Sequence, residues 1–204
     1  MAAFLSNFRN TIIASFVLAL VLIVGYAVHY SKGGGLDAIF WQAVLRWAHV
    51  VCGILWIGLL YYFNFVQIRV MPQIPAELKP AVSKYIAPEA LFWFRWAALA
   101  TWVFGIILAF NRNYLLEAYT LGLTEGFAVP QHVFIGVGMW LATIMFFNVW
   151  ALIWPNQKIA LGIVEADADA KTKAAKTAMI FSRVNTLLSI PMLTTMAMNQ
   201  TIFG

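Results

Sequence analysis

Long apolar runs decide what this chain can fold into. A helix that crosses the hydrocarbon of a bilayer needs about 20 predominantly apolar residues. Segments 11–30, 47–68, 91–111, 133–154 and 178–201 reach or approach that length, and none carries the sustained alternation of a strand. The spacing predicts an all-α integral membrane protein: a bundle of five transmembrane helices forming one membrane domain over residues 1–204, with the lipid bilayer as its surroundings. Pro191 falls inside the last run, where it removes a backbone donor and predicts a kink. The first run is longer than the apolar core of a signal peptide, and no clear small-x-small site follows it, so it reads as a retained anchor.

Composition supports the same class. The chain is 63% hydrophobic and 10% charged, whereas an ordinary soluble domain is roughly a quarter charged. A chain this short cannot bury so much apolar surface in water. The net charge of +5 sits mostly in or beside the gaps between runs, where membrane topology accounts for it; no nucleic acid is expected as a partner. Cys52 is the single cysteine. That excludes an intrachain disulfide, a thiolate-held iron–sulfur cluster and covalent haem attachment through C-x-x-C-H.

Direction follows from Lys and Arg in the connections. Lys79 and Lys84 follow the second run, with Arg69 and Arg95 at its borders, and Lys158, Lys171, Lys173 and Lys176 follow the fourth, with Arg183 just beyond. The first connection offers Lys32 and Arg46, the third only Arg112. The expected amino terminus is cytoplasmic and the carboxyl terminus outward, which in a bacterial inner membrane is periplasmic. Within 163–176, acids (Glu165, Asp167, Asp169) precede bases, an order that suits a solvated helix leading into the last span.

His29 closes the first run, His49 opens the second and His132 opens the fourth. In the expected orientation all three lie near the outer face. A histidine in a membrane span is costly without a partner, and neutral imidazole is the commonest metal ligand. His49 and His132 come from different helices at similar depth, as the axial ligands of one haem iron do, with Gly53 and Gly136 one turn on to admit a porphyrin plane. His29, with Gly25 one turn before it, stays a third candidate. Interfacial histidines bonded to headgroups or loop carbonyls are the plain alternative.

Arg95, Arg183 and Asn185 form a second polar layer toward the inner side, with Asn64 and Asn148 at comparable depth. Arginine's rigid fork of donors suits a carboxylate or planar anion, so Arg95, Arg183 and Asn185 are candidate holders of a substrate anion. Both arginines also lie within snorkelling reach of the cytoplasmic interface. Counted from His49 to Asn64 at about 1.5 Å per residue, the two layers are roughly 22 Å apart. Trp41, Trp47, Trp93, Trp96 and Trp154 cluster near run ends, as in an interfacial belt.

These residues fall in runs that resemble the membrane domain of the cytochrome c-coupled urate oxidases (urate hydroxylases): Leu45-Arg46-Trp47-Ala48-His49, Gly53-Ile54-Leu55-Trp56-Ile57-Gly58, Tyr61-Tyr62-Phe63-Asn64 and Phe92-Trp93-Phe94-Arg95-Trp96, then His132, Asn148-Val149-Trp150 and Ile153-Trp154-Pro155-Asn156-Gln157-Lys158, and finally Ser182-Arg183 and Asn185-Thr186-Leu187-Leu188-Ser189-Ile190-Pro191-Met192. The His49 segment is also similar to the haem-binding helix of membrane protoporphyrinogen oxidases. The resemblance implies a membrane oxidoreductase with haem b, electron transfer and urate as the anionic reductant. The family's usual cytochrome c domain has no counterpart before Phe203-Gly204, so a separate cytochrome c is the expected acceptor. A non-catalytic subunit of a respiratory or other larger membrane complex is the alternative. A transporter is a third, without the paired broken helices that would support it.

Overall fold

The computed structural model describes residues 2–30 and 37–203. Lys32, used above as a topology marker, lies outside the described residues, as does Gly204. Helix accounts for every regular element among the described residues, and no strand is present there. The chain divides into two compact units, Met1–Leu45 and Arg46–Gly204.

The first unit holds a short turn of helix, Ala2–Leu5, and helix α1, Phe8–Tyr30. Its large apolar side chains point outward, with Leu18, Leu22 and Val28 among the exposed. Helix α2, Ala38–Tyr61, begins here and crosses into the second unit. Tyr26 and Phe40 stack with ring centroids 6.4 Å apart.

In the second unit α2 continues through a wider-wound π segment, Tyr62–Gln67, to a final turn at Met71–Gln73. Helix α3, Ala87–Asn111, is preceded by Lys79–Ala81 and a second π segment, Val82–Ile86. Lys79 and Lys84 are therefore helical rather than in a loop. After a short helix α4, Leu115–Tyr119, comes α5, Pro130–Phe147, which runs on through a third π segment, Asn148–Ile153, into Trp154–Ala160. Helix α6, Ala168–Phe203, ends the fold. Asp167 caps it, its carboxylate accepting from the Ala170 N–H at 2.7 Å. The assigned helix is continuous through Pro191.

Four helical stretches are long and apolar enough to cross a membrane: Phe8–His29, Ala38–Gln73, Lys79–Asn111 and Pro130–Ala160. Each contains most of one predicted run and extends beyond it, because the helices carry their polar and aromatic ends past the apolar core. The fifth predicted run, 178–201, lies within α6 and falls short of that standard of apolarity.

The reason is where its polar residues point. Ser182, Asn185, Ser189, Thr195 and Asn199 are buried, Asn185 and Ser189 completely, while Leu187 is 73% and Ile190 60% exposed. This reverses the usual amphipathic order of a helix on a water-soluble domain. Its polar stripe faces protein and its apolar stripe faces out. Helix α6 runs antiparallel to α5 along its length: Asn185 meets Asn148 and Met145, Thr195 lies against Gly138, and Phe203 packs on Phe134. The core between them is apolar. Trp56, Leu60 and Phe63 of α2 and its continuation meet Leu91, Phe94 and Ala98 of α3, Met145, Val149 and Ile153 of α5 and its continuation, and Met192 of α6.

Candidate functional site

Two polar regions in the second unit contain the residues singled out from sequence, and they are built differently. The first is centred on His49 and His132. His49 lies one turn beyond Arg46 on α2, and its ring rests on α3. Its Nδ1 is 2.8 Å from the Thr101 carbonyl oxygen. A carbonyl oxygen only accepts, so Nδ1 carries the proton and, in the neutral ring, Nε2 keeps its lone pair. The approach is close because Gly105 lies beneath: a Cβ there would come within 3.0 Å of the His49 ring.

His132 is in the first turn of α5, just after Pro130. Its Nδ1 is 2.6 Å from Glu125 Oε2, and its ring stacks on Tyr114 at 5.8 Å between centroids. The carboxylate again fixes the proton on Nδ1 and, in the neutral ring, leaves the lone pair on Nε2. Among the described residues neither Nε2 has a hydrogen-bond partner. A ligating histidine almost always donates its other N–H to a carbonyl or carboxylate, which fixes tautomer and orientation. Both rings meet that condition.

The connection carrying Glu125 is wound tightly. Asn113, Leu121 and Phe127 adopt positive φ of 56°, 53° and 63°, a costly conformation for side chains of this kind. The connection is held down by Trp140 Nε1 donating to the Tyr119 carbonyl at 2.9 Å and by Tyr119 and Thr143 hydroxyls 2.8 Å apart. Gly136 belongs to this packing. A Cβ there would run into the Ala118 carbonyl of α4, so its missing side chain serves helix contact and not the porphyrin clearance read from sequence. Gly53 is freer: a Cβ at that position would meet Thr101 Cγ2 at 3.6 Å.

Two cations stand in the same region. Arg46 is half-buried, and its guanidinium faces the Gln200 side-chain oxygen once that amide is turned to accept. Arg112 lies over the Tyr114 ring at 5.9 Å. Burial pushes the Tyr114 phenol up, and the charges of Arg112 and Arg46 pull it the other way. Sequence reasoning used both arginines only as topology markers and passed over Glu125, Thr101 and Gly105. A basic residue one turn from a histidine, as Arg46 is from His49, was the available signal.

The inner layer is largely closed on itself. Asn148 donates to Asn185 Oδ1 at 2.8 Å, and Asn185 donates to the Met145 carbonyl at 3.0 Å. Asn64 donates to Ser182 Oγ at 2.8 Å, and Tyr61 and Ser189 hydroxyls are 3.1 Å apart. Asn64 and Asn148 both sit in π segments, where the widened winding turns them toward α6. Arg95 donates to the Leu91 carbonyl of its own helix at 3.0 Å, and its guanidinium lies 3.4 Å above the Trp154 ring. Arg183 is exposed on α6, on the face away from Asn185. No described contact joins Arg95, Arg183 and Asn185 to one another. The buried side-chain atoms left without a hydrogen bond in this layer are two acceptor oxygens, Asn64 Oδ1 and Gln67 Oε1, and one donor, Trp150 Nε1 of the third π segment. His29 lies on α1 in the first unit and is exposed.

Among the described residues no three His, Cys, Asp or Glu side chains converge as a metal-binding group.

The fold thus defines an all-helical protein with membrane-compatible helices and a polar end built around two oriented histidines. Residues 113–203, a little under half of the chain, match the family model described as urate oxidase N-terminal. The matched stretch includes His132, Glu125, Asn148 and Asn185, and stops short of the runs around His49 and Arg95. No curated protein and no solved structure matches the chain.

Proposed function

We propose that this chain is a urate oxidase-like membrane redox protein that binds haem b between His49 and His132. The observation that carries the reading is the matched orientation of the two rings, each with Nδ1–H committed to a fixed acceptor. Donor type, tautomer and support favour both rings as haem ligands, because Thr101 and Glu125 would do for them what outer-shell acceptors do for ligating histidines. Haem b, when bound, supplies a one-electron carrier near the outer face, with a separate cytochrome c as acceptor. Glu125 raises the electron-donating power of His132, whereas the neutral Thr101 carbonyl does so less for His49. The match of residues 113–203 to the urate oxidase N-terminal family model supports urate as the reductant.

The same reading includes five spans, an amino terminus in the cytoplasm, a periplasmic carboxyl terminus and residence in a bacterial inner membrane. Support for the fifth span comes from α6. Its exposed face is apolar, its polar stripe is buried against α5, and from Asn185 to Phe203 it covers about 27 Å at 1.5 Å per residue. The largely self-bonded inner layer favours a second reading for Arg95, Arg183 and Asn185, in which they hold the bundle together and the chain is a non-catalytic membrane subunit.

The absorption spectrum of the purified protein tests the proposal. The expected result is a reducible b-type spectrum that His49→Ala or His132→Ala abolishes, and that added urate reduces in the wild type. A native spectrum in both variants overturns the ligand assignment. A normal spectrum that urate leaves oxidised transfers the case to the subunit reading.

A further inference from the structure

Every ion pair among the described residues is accounted for by one contact, His132 with Glu125. Arg46 and Arg112 have no carboxylate. Yet Arg112 lies over the ring of Tyr114, which itself stacks on His132, and Arg46 stands one turn before His49, whose ring rests against Gly105, two turns before Arg112 at the end of α3. Among the described residues the polar groups that face them are two: Gln200 from α6, which offers Arg46 a neutral amide oxygen, and Tyr114, whose ring lies 5.9 Å from Arg112. Two guanidinium groups drawn together at the edge of a low-dielectric region repel one another, and no anion of the described chain balances them. Arginine forks match carboxylate and phosphate oxygens in pairs; here the three nitrogens of Arg46 all face one neutral oxygen, that of Gln200, which leaves its charge unbalanced, and Arg112 has no carboxylate either.

We propose that Arg46 and Arg112 form an oxyanion-binding pair at the histidine end, with Gln200 holding Arg46 in place. The ligand chemistry is a carboxylate or phosphate oxygen. It has two sources: the propionates of the porphyrin placed between His49 and His132, which rests on the reading above, and the phosphate of an anionic lipid headgroup, which does not.

Thermal unfolding of the full chain in uncharged maltoside micelles separates them. One arm adds iron-free protoporphyrin IX against its dimethyl ester, which lacks the carboxylates. The other adds phosphatidylglycerol against diacylglycerol. Neither arm needs iron ligation, so failure here is distinct from failure of the haem assignment, which the spectrum reports. The expected result is that one anion raises the melting temperature by about 5–10 °C at a hundredfold excess over its Kd. Its neutral counterpart has no such effect, and Arg46→Gln and Arg112→Gln each remove most of the gain. Arg112 is exposed, so its variant folds even if the half-buried Arg46 does not tolerate change. The arm that responds names the source. Equal shifts from anion and neutral counterpart, or shifts that persist in Arg112→Gln, overturn the pair.

Discussion

The histidine end and the inner layer hold similar numbers of polar side chains, but they use their hydrogen-bonding capacity differently. In the inner layer Asn148, Asn185, Asn64, Ser182, Tyr61 and Ser189 bond mainly to one another across three helices. Buried polar groups satisfied in this way specify how helices pack. At the other end each imidazole uses one nitrogen and keeps one, and two arginines lack counter-charges. Polar groups fixed on one side and open on the other are how a ligand site is prepared. On the proposed reading the histidine end binds and the inner layer holds the helices together, although both regions stand out in the sequence by their arginines.

The largest expected effect is on the histidine side. His49→Ala and His132→Ala should each remove the low-spin b-type spectrum, because a one-sided haem has lost half its axial set. Asn185→Ala should leave that spectrum intact. If Asn185→Ala alone destroyed it, the division between the two regions would fail. Next in size is Glu125→Ala, which leaves His132 without its orienting acceptor. Loss of such a partner typically lowers metal affinity 10–100-fold, and haem titration should show a drop in that range. Glu125→Gln, whose amide oxygen still accepts from Nδ1–H, should recover most of it.

Packing tests follow. Gly136→Ala puts a methyl against the Ala118 carbonyl, and backbone cannot swing aside as a flexible side chain does. Overpacking of this kind costs about 1–3 kcal/mol, readable as a lowered unfolding midpoint. Gly53→Ala, with a partner at ordinary contact distance, should cost less. Equal losses would mean that the close approach of α4 to α5 is not what Gly136 secures.

These contrasts also show what sequence could carry. Apolar length located the four membrane-compatible helices, because that signal needs no knowledge of neighbours. Helix α6 resisted, since Ser182, Asn185, Ser189, Thr195 and Asn199 lower its hydropathy while facing protein, and only the packed structure says which way they face. The histidines were legible as residue type and depth. Their acceptors were not. Glu125 reaches His132 through a connection shaped by positive φ at Leu121 and Phe127, residues that give no turn signal, and Thr101 contributes a carbonyl that any residue possesses. The π segments that turn Asn64 and Asn148 inward have no marked sequence signature either. Gly136 was noticed for the wrong reason, because spacing alone cannot tell clearance for a ligand from clearance for a helix.

Smaller still is the effect expected in the asparagine layer. A double-mutant cycle on Asn148 and Asn185, each changed to Leu, isolates their mutual bond. Interhelical hydrogen bonds within membranes average about 0.6 kcal/mol in such cycles, so a coupling near that size, with an unaltered spectrum, marks them as scaffold. A coupling of zero would mean that Asn185 works through the Met145 carbonyl alone.

The smallest effect should come from Arg95→Lys, and for that reason it tests the comparison most sharply. The guanidinium lies flat on the Trp154 ring and donates to its own helix at Leu91, so both its face and one of its donors serve local structure. Lysine keeps the charge and can still reach the interface, but it loses the planar fork. A scaffold role predicts normal insertion, an unchanged b-type spectrum, unchanged reduction by urate and a stability loss within about 1 kcal/mol, the size of an exposed cation–π contact. Arg183→Lys, on an exposed face, should do no more than that. If Arg95 grips a planar anion, the spectrum stays normal while urate-driven reduction falls about tenfold, as expected for loss of a charged hydrogen bond of roughly 1.5–3 kcal/mol. That outcome would move substrate binding to the inner layer and leave the histidine end with electron transfer alone.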